Sequence, residues 1–480
     1  MSYRFDATVW DGKRRWPHGA WEWNSAMPVS HFDLTMLRGL ARYLIANHNP
    51  TKALIGDISR YSVGAGLEAF AASGDDAWDA AANEFFAWWA AVCDITGRLH
   101  FHDIQRLACE AMSGDGEAFV LKELGRNGFP FLKFLKAHAI GAAGAPDEKD
   151  PAFVNGVWLS KHERATHYRV LLADGEHYDA PAPTVLHLAE VSDPDAWRHI
   201  TPLAASIADL LDLKETTGHE KLAVKIHAAI AAVLKGKGMD SAEKVFGAGG
   251  FGDDDDEDAA PPAPAPAKEV TVDNMLSGTI PTLGDGQELQ TWENRRAGGP
   301  IFGPYSEFIL RGHCAAEGVP IEFLWNPQTV GGAPARFVVA KAGRRFAIRQ
   351  SYLNRALVAP CWRYAIAWAI KTKRLPLTQH WRRCIVQGPA LVTVDAGRES
   401  ANDRADLAAG LTTMAELYGE RGIRQWANHV TQWAREKRYQ IDELARQGLT
   451  LEQAAQLDAI AMARGESDRI SLNHQIRSPY

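Results

Sequence analysis

The sequence lacks three features that would each indicate a particular class of protein. It contains no run of about 18 consecutive apolar residues, the length that a transmembrane helix needs. Its 52 Lys and Arg residues are fewer than its 59 Asp and Glu residues, and the net charge of −7 excludes a basic nucleic-acid-binding tail. Its five cysteines are widely spaced and never form C-x-x-C. That spacing indicates reduced thiols and argues against a disulfide framework or a cysteine-based zinc site.

Signatures of catalysis are also missing. The chain has no G-x-x-x-x-G-K-[ST] phosphate loop, no G-x-S-x-G nucleophile turn and no paired acidic motif of the nuclease type. The string HERATH at His162–His167 has three residues between Glu163 and the second histidine, where a zincin helix has two. A helix would turn these two imidazoles to different faces, and the local pattern is that of a strand. We therefore predict no metal, no cofactor and no enzymatic activity.

The overall composition is that of a globular protein. Hydrophobic residues make up 46% and charged residues 23% of the 480 residues, a length that accommodates roughly two to four domains. Met1–Trp10 shows no basic stretch followed by an apolar one, so we expect a protein made without a secretory signal, in the cytoplasm.

Acidic residues are absent from one long segment. Between Phe323 and Val394 there is no Asp or Glu, but there are twelve Lys or Arg residues. The remainder of the chain carries the other 40 basic residues and all 59 acidic ones, a net charge of −19. A basic segment in an acidic chain is either a solvated face or a surface for a polyanion or an acidic partner.

Helical and strand patterns alternate in the first 200 residues. Apolar residues recur on one face of Asp75–Cys93 and Phe101–Met112, which predicts two helices. Glu117–Leu121, Tyr168–Leu172 and Thr184–Leu188 read as strands, and Asp-Gly at residues 174–175 is a hairpin signal. The fold class predicted for the chain is α+β and predominantly helical.

The next part of the chain is predicted to contain a long helix and a linker. Thr201 followed by a proline is typical of a helix start, and the helical pattern extends from there to Leu234. Residues 236–270 combine glycines, the acidic run Asp253–Asp258 and an Ala/Pro tract, a composition that predicts a flexible acidic loop. A short strand region is expected around Thr279–Trp292.

Helices are also predicted for the rest of the chain. One covers Tyr305–Glu317, and a long basic helix covers Ala335–Lys373 with a kink at Pro360. Three shorter helices are expected towards the C-terminus, at Ala405–Tyr418, Ile423–Ala445 and Leu451–Ala463.

One face of the long basic helix is the main candidate for binding. Lys341, Arg345 and Arg349 recur every four residues, and Arg344 and Arg355 add to the charge of the helix. These five side chains could join neighbouring copies of the chain, face a DNA channel, or form a solvated surface.

Several motifs, taken in order, resemble one family. Spaced arginines precede V-G-x-G at Val63–Gly66, a W-x-x-x-x-D-x-x-G-x-x-x-F pattern begins at Trp89, and D-G-E-x-F-V occupies Asp115–Val120. V-L-H-L at Val185–Leu188 is followed by R-H-I-T-P-L at Arg198–Leu203. These motifs resemble the lambda-type portal proteins of tailed bacteriophages, whose N-Y-S-S-x-R string is here replaced by residues 330–336. The residues that carry the family pattern are Arg38, Arg42, Gly64, Gly66, Asp115, Gly116, Glu117, His187, Arg198 and Arg336.

The resemblance implies a subunit of a dodecameric ring at one capsid vertex. Such a ring would nucleate head assembly, contact the major capsid protein or a scaffold, dock the large terminase subunit, and later bind a head-tail adaptor. It would serve as the channel for double-stranded DNA, which it would contact without sequence specificity, in the virion and, during assembly, in the host cytoplasm. No contact with a membrane is implied.

The resemblance also implies a division of the chain into regions. Residues 1–150 would belong to an α/β wing and 151–200 to a strand-containing clip, with a stem helix at 201–235 and the acidic Ala/Pro loop at 236–270. Residues 271–400 would return through stem and wing with the long basic helix, and 401–480 would form a helical crown. The alternative, from another class, is a DNA-processing enzyme or accessory subunit that binds nucleic acid through residues 323–394.

Overall fold

The structure is a computed structural model. It describes residues 29–141, 150, 152–191, 193–194, 196–229, 233–236, 287–290, 302–325, 331–390, 396–422, 426–448 and 450. Among its described helices, none is both long and apolar enough to cross a lipid bilayer.

Helices dominate the described residues. In chain order they are α1 (His31–Asn47), α2 (Asn49–Ser62), α3 (Asp76–Val92), α4 (Phe101–Gly114), α5 (Ile207–Ala229), α6 (Phe302–Ala316), α7 (Ile321–Leu324), α8 (Gly332–Leu353), α9 (Ala359–Lys371), α10 (Ala396–Ala408), α11 (Met414–Glu420) and α12 (Trp426–Arg446).

Within the described residues the strands form four antiparallel sheets. In chain order they are β1 (Glu68–Ala71), β2 (Glu117–Leu124), β3 (Pro130–Lys136), β4 (Phe153–Val154), β5 (Val157–Leu159), β6 (Ala165–Leu171), β7 (His177–Pro181), β8 (Val185–Ala189), β9 (Val233–Gly236), β10 (Gln287–Gln290) and β11 (Cys384–Gln387). The sheets have the strand orders β3-β2-β8, β4-β5-β6-β7, β1-β11 and β9-β10.

The two predicted helices α3 and α4 are confirmed, and their starts have a local cause. The Asp75 carboxylate accepts hydrogen bonds from the first backbone N–H groups of α3, and Trp78 and Trp89 on one face of α3 are buried. His100 and Asp103 form a reciprocal capping box at the start of α4. The aromatic residues of α3 therefore anchor the largest core, which also contains α2, α4 and α9.

Strand β2 lies between two cores. Ala118 and Val120 belong to the large helical core, whereas Phe119 and Leu121 belong to a second core shared with strands β5–β8. Alternate side chains of a strand point to opposite faces, so one buried strand serves both cores. Glu117 begins this strand and has the same parity as Phe119, which places it on the side of the second core.

The predicted hairpin after Leu171 is confirmed as β6 and β7. Gly175 adopts a positive φ of 88° at the turn, a conformation that favours glycine. The four-stranded sheet is joined to the three-stranded one by a bridge between Ile140 and Val170. Residues 153–181 thus form a separate sheet that packs on the main body through the second core, whereas β8 belongs to the three-stranded sheet.

The helix predicted from Thr201 to Leu234 is shorter than expected. Thr201 caps a 3₁₀ turn at Pro202–Ala205, and α5 then continues without a break through Gly218 but ends at Ala229. Residues Val233–Gly236 instead form strand β9, which pairs with β10. The prediction for this end was wrong because β-branched Val233 and its apolar neighbour fit a strand ladder as well as a helix face. The strand expected around Thr279–Trp292 is confirmed as β10.

The long basic helix is interrupted close to Pro360, where a kink was predicted. Residues Asn354–Val358 form a turn of π-helix between α8 and α9, and Pro360 lies in the first turn of α9. Proline cannot donate the backbone hydrogen bond that a continuous α-helix requires, so the chain changes its helical winding just before Pro360.

The C-terminal helices begin and end at other residues than predicted. Ala405–Tyr418 is not one helix, because α10 ends at Ala408, Gly410 adopts a positive φ of 71°, and Thr413 caps α11 with Glu416. Helix α12, at Trp426–Arg446, confirms the helix predicted at Ile423–Ala445. The predicted helix Leu451–Ala463 and the acidic loop from residue 237 to residue 270 lie outside the described residues.

Candidate functional site

The carboxylate of Glu117 is the centre of a buried cluster of charges. Its Oε1 accepts hydrogen bonds from Arg38 Nη2 and from Arg198 Nε, the latter at 2.8 Å. Its Oε2 lies 2.9 Å from His187 Nε2 and accepts the backbone N–H of His199 at 3.1 Å. Four groups from three parts of the chain therefore share one carboxylate with no solvent-exposed surface.

The charge of Glu117 is maintained by these neighbours. Burial alone would raise its pKa, but the positive charge of Arg198, the hydrogen bond from His187 and the charge of Arg38 outweigh burial and hold that pKa below its usual range. Burial and the proximity of Arg198 lower the pKa of Arg38 to about 10. Glu117 is thus an ionised acceptor at neutral pH and has no free lone pair for acid-base chemistry.

Arg198 connects the cluster to the four-stranded sheet. Its Nη1 donates to the carbonyl oxygens of Ile140, at 2.9 Å, and of Asn155. Its Nη2 donates to the carbonyl oxygen of Ala137 at 3.0 Å. The guanidinium carbon lies 5.5 Å from the ring centre of Phe119 in β2. One side chain therefore fixes the loop after β3 and the turn between β4 and β5 to the strand that carries Glu117.

Histidine and tyrosine rings complete the cluster. His187 stacks on Phe119, its cross-strand neighbour, with ring centres 4.4 Å apart. The ring of His199 lies 5.5 Å from that of His187, and burial lowers the pKa of His199 to about 4. Burial also raises the pKa of Tyr168 to about 12. The pKa values of His199 and Tyr168 therefore both lie far from neutral pH.

A second ion pair lies at the turn before β2. Arg42 donates two hydrogen bonds to Asp115, at 2.8 and 2.7 Å, and its Nη2 lies 3.1 Å from His138 Nδ1. The next residue, Gly116, has a φ of 91°, and a Cβ there would lie 2.2 Å from the carbonyl oxygen of Ile200. The D-G-E motif is therefore a pair of ion-pairing carboxylates separated by a glycine that permits close backbone contact.

The two earlier glycines of the family pattern have the same kind of role. Gly64 has a φ of 57° and lies against Pro389, and Gly66 has a φ of 133° with the ring of His102 where a Cβ would be. Both lie between α2 and β1, where the chain reverses. The V-G-x-G motif thus marks a tight turn and not a phosphate-binding loop.

The five side chains of the predicted basic face do not all lie on one exposed surface. Arg345 makes a two-pronged ion pair with Glu190, at 2.7 and 2.9 Å, and its Nη2 also donates to Glu317 at 3.2 Å. Arg349 is fully buried, with its Nε 2.9 Å from Glu190 Oε1. Arg345 and Arg349 are thus neutralised within the chain, which corrects the idea that all five side chains form one exposed surface.

The other predicted cations lie at the surface. Lys341, Arg344 and Arg355 are exposed, and the guanidinium of Arg355 lies 5.6 Å from the ring centre of Tyr352. Arg336, in the second turn of α8, is also exposed. Sequence periodicity could not show that Glu190, which follows β8, and Glu317, which follows α6, bind Arg345 and lie close to Arg349.

Two residues of these clusters carried no signal in the sequence. Glu190 directly follows β8, and Glu317 follows α6 just before Gly318. His199 could have been found, because it adjoins Arg198 in the R-H-I-T-P-L motif. The chemistry of both clusters is that of structural cross-links, and the described residues contain no group of three or more His, Cys, Asp or Glu side chains arranged for a metal ion.

Comparison with known proteins identifies one matching family and several similar solved structures. A family model described as "Phage portal protein, lambda family" matches residues 13–350. A chain of the structure titled "Virion of native gene transfer agent (GTA) particle" is similar to this chain at 14% identity and a TM-score of 0.45, covering 81% of this chain and 93% of that chain. A chain of "Neck of native GTA particle computed with C12 symmetry" is similar at 14% identity and a TM-score of 0.43, covering 80% and 93%.

No curated protein shows significant sequence similarity to the chain. The family model nevertheless spans well over half of the 480 residues and includes every residue of the Glu117 cluster. The chain therefore belongs to the lambda family of phage portal proteins.

Proposed function

We propose that this chain is the repeating subunit of a ring that occupies one vertex of a phage capsid and provides the channel for double-stranded DNA during packaging and ejection. The observation that carries the proposal is the family match over residues 13–350, which confirms the resemblance seen in the sequence motifs. Portal proteins are structural components, and no catalytic residue is assigned to this chain.

The Glu117 cluster supports a mechanical role. A channel subunit that docks a packaging motor has to transmit load between its clip and its body without bending. Arg198 connects the clip-like sheet to β2 through a carboxylate and three carbonyl groups, and a satisfied buried network of this kind is rigid. We infer that the family motifs D-G-E and R-H-I-T-P-L supply this rigid connection between the clip-like sheet and β2.

The regions of the subunit are proposed from the resemblance. Residues 1–150 would form the wing, the sheet within 151–200 the clip that meets the large terminase subunit, and the helix within 201–235 the stem. Residues 271–400 would return through stem and wing, and 401–480 would form the crown. The other proposed partners are the major capsid protein or scaffold and a head-tail adaptor, in a ring of twelve copies.

Charge supports passage of DNA and contact between subunits. The chain outside residues 323–394 has a net charge of −19, so a channel lined by that part would repel a polyanion instead of holding it. The exposed cations Lys341, Arg344 and Arg355 would then pair with the acidic surface of a neighbouring copy, since head-to-tail contacts need complementary faces. The alternative proposal is that Lys341, Arg344 and Arg355 line the DNA channel.

Ring formation is the direct test of the function. Native mass spectrometry and negative-stain microscopy of the purified chain are expected to show closed rings of twelve copies of the 52.7 kDa subunit. A stable monomer that binds duplex DNA in a salt-sensitive manner, together with metal-dependent cleavage of that DNA, would replace the portal proposal by a DNA-processing function.

Charge reversal tests the contact between subunits. The triple variant Lys341→Glu, Arg344→Glu, Arg355→Glu is expected to reduce the ring fraction by about tenfold or more, because it places like charges at the proposed interface. The control is Lys341→Arg, Arg344→Lys, Arg355→Lys, which preserves charge and is expected to assemble. Normal rings from the reversed variant, with altered DNA retention, would assign these cations to the channel.

A further inference from the structure

An open cavity of about 790 Å³ lies at the junction of α9 and the β1-β11 sheet. Its walls combine apolar residues with three arginines. The lining residues are Ala72, Ala359, Arg363, Trp381, Arg382, Arg383, Cys384 and Ile385. We call it the three-arginine pocket. It is separate from the Glu117 and Glu190 clusters and has no part in the function proposed above.

Within the part of the chain that the structure describes, the arginines of this pocket have no acidic partner. Arg363, Arg382 and Arg383 are exposed, and none of them forms an ion pair with a described residue. The guanidinium of Arg382 lies 5.0 Å from the ring centre of Trp381, which holds it at the wall of the pocket. Elsewhere the described part of the chain pairs its buried arginines with carboxylates, as it does for Arg198 and Arg345.

The shape and lining of the pocket favour a peptide over duplex DNA. Arginine pairs strongly with carboxylates as well as with phosphates, so charge alone does not separate the two ligands. The apolar residues Ala72, Ala359 and Ile385 are interleaved with the arginines, and apolar walls with a few charged groups are typical of sites for side chains. Duplex phosphates lie on a convex cylinder, which would touch the rim and leave the apolar wall uncovered.

We propose that the three-arginine pocket binds the acidic run Asp253–Asp258 of this chain. The run has six consecutive carboxylates, the densest negative charge in the sequence. The three arginines of the pocket lie in the one long segment that has no acidic residues. Asp253 follows Gly236, the last residue of β9, by 17 residues, and a chain of that length spans at most roughly 60 Å. The run can therefore lie up to roughly that distance from the end of β9. Its negative charge is opposite in sign to that of the pocket arginines.

A labelled peptide tests the pocket directly. The probe is a synthetic peptide of residues 251–260, and the protein is the full chain with its own run neutralised by Asp→Asn and Glu→Gln changes, so that the run cannot compete. Fluorescence anisotropy is expected to show saturable binding that weakens with salt. The variant Arg363→Glu, Arg382→Glu, Arg383→Glu is expected to bind about tenfold or more weakly.

Two controls separate the pocket from general charge effects. Arg435→Glu, Lys437→Glu, Arg438→Glu makes the same change of charge on exposed positions of α12 and is expected to leave peptide affinity unchanged. A peptide in which all six acids are lysine is expected to bind the reversed pocket and not the original one, which also verifies that the reversed variant is folded.

Three results would overturn the proposal. One is equal binding of the acidic peptide to the original and the reversed pocket. Another is unchanged peptide affinity when the chain's own run is restored, because an occupied pocket must exclude the probe. The third is binding of a short DNA duplex that depends on the three arginines while the peptide does not bind, which would identify the pocket as a phosphate site.

Discussion

The two buried ion clusters differ in how completely their polar groups are satisfied. Glu117 receives hydrogen bonds or close polar contacts from Arg38, Arg198, His187 and a backbone N–H. In the second cluster the three guanidinium nitrogens of Arg349 form no hydrogen bond of proper geometry. In the first cluster Arg38 Nε is the one buried side-chain nitrogen without a hydrogen bond to the described residues, so that cluster is nearly saturated. Such a cluster stabilises the fold, whereas a buried charge without aligned partners lowers its stability.

The pKa directions distinguish Glu117 from Glu317. They do not distinguish Glu117 from Glu190, because the hydrogen bond from Arg345 and the charge of Arg349 outweigh burial and lower the pKa of Glu190 too. In the first cluster the cations overcome burial and the pKa of Glu117 is lowered, whereas at Glu317 burial prevails over Arg349 and Arg345 and the pKa is raised. Ionisation of Glu117 therefore stabilises the native state at neutral pH, and ionisation of Glu317 opposes it. Substitutions in the two clusters should consequently have unequal effects.

The largest effect is expected for Glu117→Gln. Removing the carboxylate leaves two buried arginines without their counter-charge, and we expect the free energy of unfolding to fall by about 3–5 kcal/mol at pH 7. Urea unfolding followed by circular dichroism measures the loss. The control Glu110→Gln breaks an exposed pair with Arg106 and should change the free energy by less than about 1 kcal/mol. Equal effects of the two changes would contradict a central role for Glu117.

An intermediate effect is expected for His199 and depends on pH. Its folded pKa of about 4 lies below the ordinary value of 6.5, so the unfolded chain takes up the proton first. Its contribution to stability is complete above pH 6.5 and is lost as the pH falls from 6.5 towards 4, by about 3 kcal/mol at most.

The variant His199→Asn isolates that contribution. It retains the backbone N–H that binds Glu117, and its unfolding free energy should decline less steeply than that of the original chain between pH 6.5 and pH 4. The exposed His219→Asn serves as the control and should follow the original curve. Parallel curves for all three proteins would show that His199 does not titrate with folding.

The smallest effect is expected for Glu317→Gln. The amide oxygen can still accept the hydrogen bond from Arg345, and the substitution removes a carboxylate whose ionised form is disfavoured by burial. Because the folded pKa lies above the unfolded one, the native carboxylate costs stability as the pH rises above about 4.5. We expect the variant to lie within about 1 kcal/mol of the original chain at pH 7, or above it, in urea unfolding. A loss as large as that of Glu117→Gln would place both clusters in one class.

Local signals in the sequence predicted much of the fold. The helices α3 and α4 have strong caps and an aromatic stripe, and Gly175 marks the β6-β7 hairpin, so each was found from residues close in sequence. The errors occurred where local signals conflict. Val233 fits either a helix or a strand, and the positive φ at Gly410 divides a segment whose apolar pattern continues.

The sequence by itself singled out Glu117, His187 and Arg198 of the Glu117 cluster, because these residues lie in ordered motifs that identify the portal family. Only the tertiary structure decided the partners of the long basic helix. Arg345 and Arg349 have the same periodicity as exposed Lys341, and their burial depends on Glu190, which is 155 residues from Arg345. A helix pattern specifies which residues share a face, but the element that covers this face comes from a distant part of the chain, and only folding brings the two together.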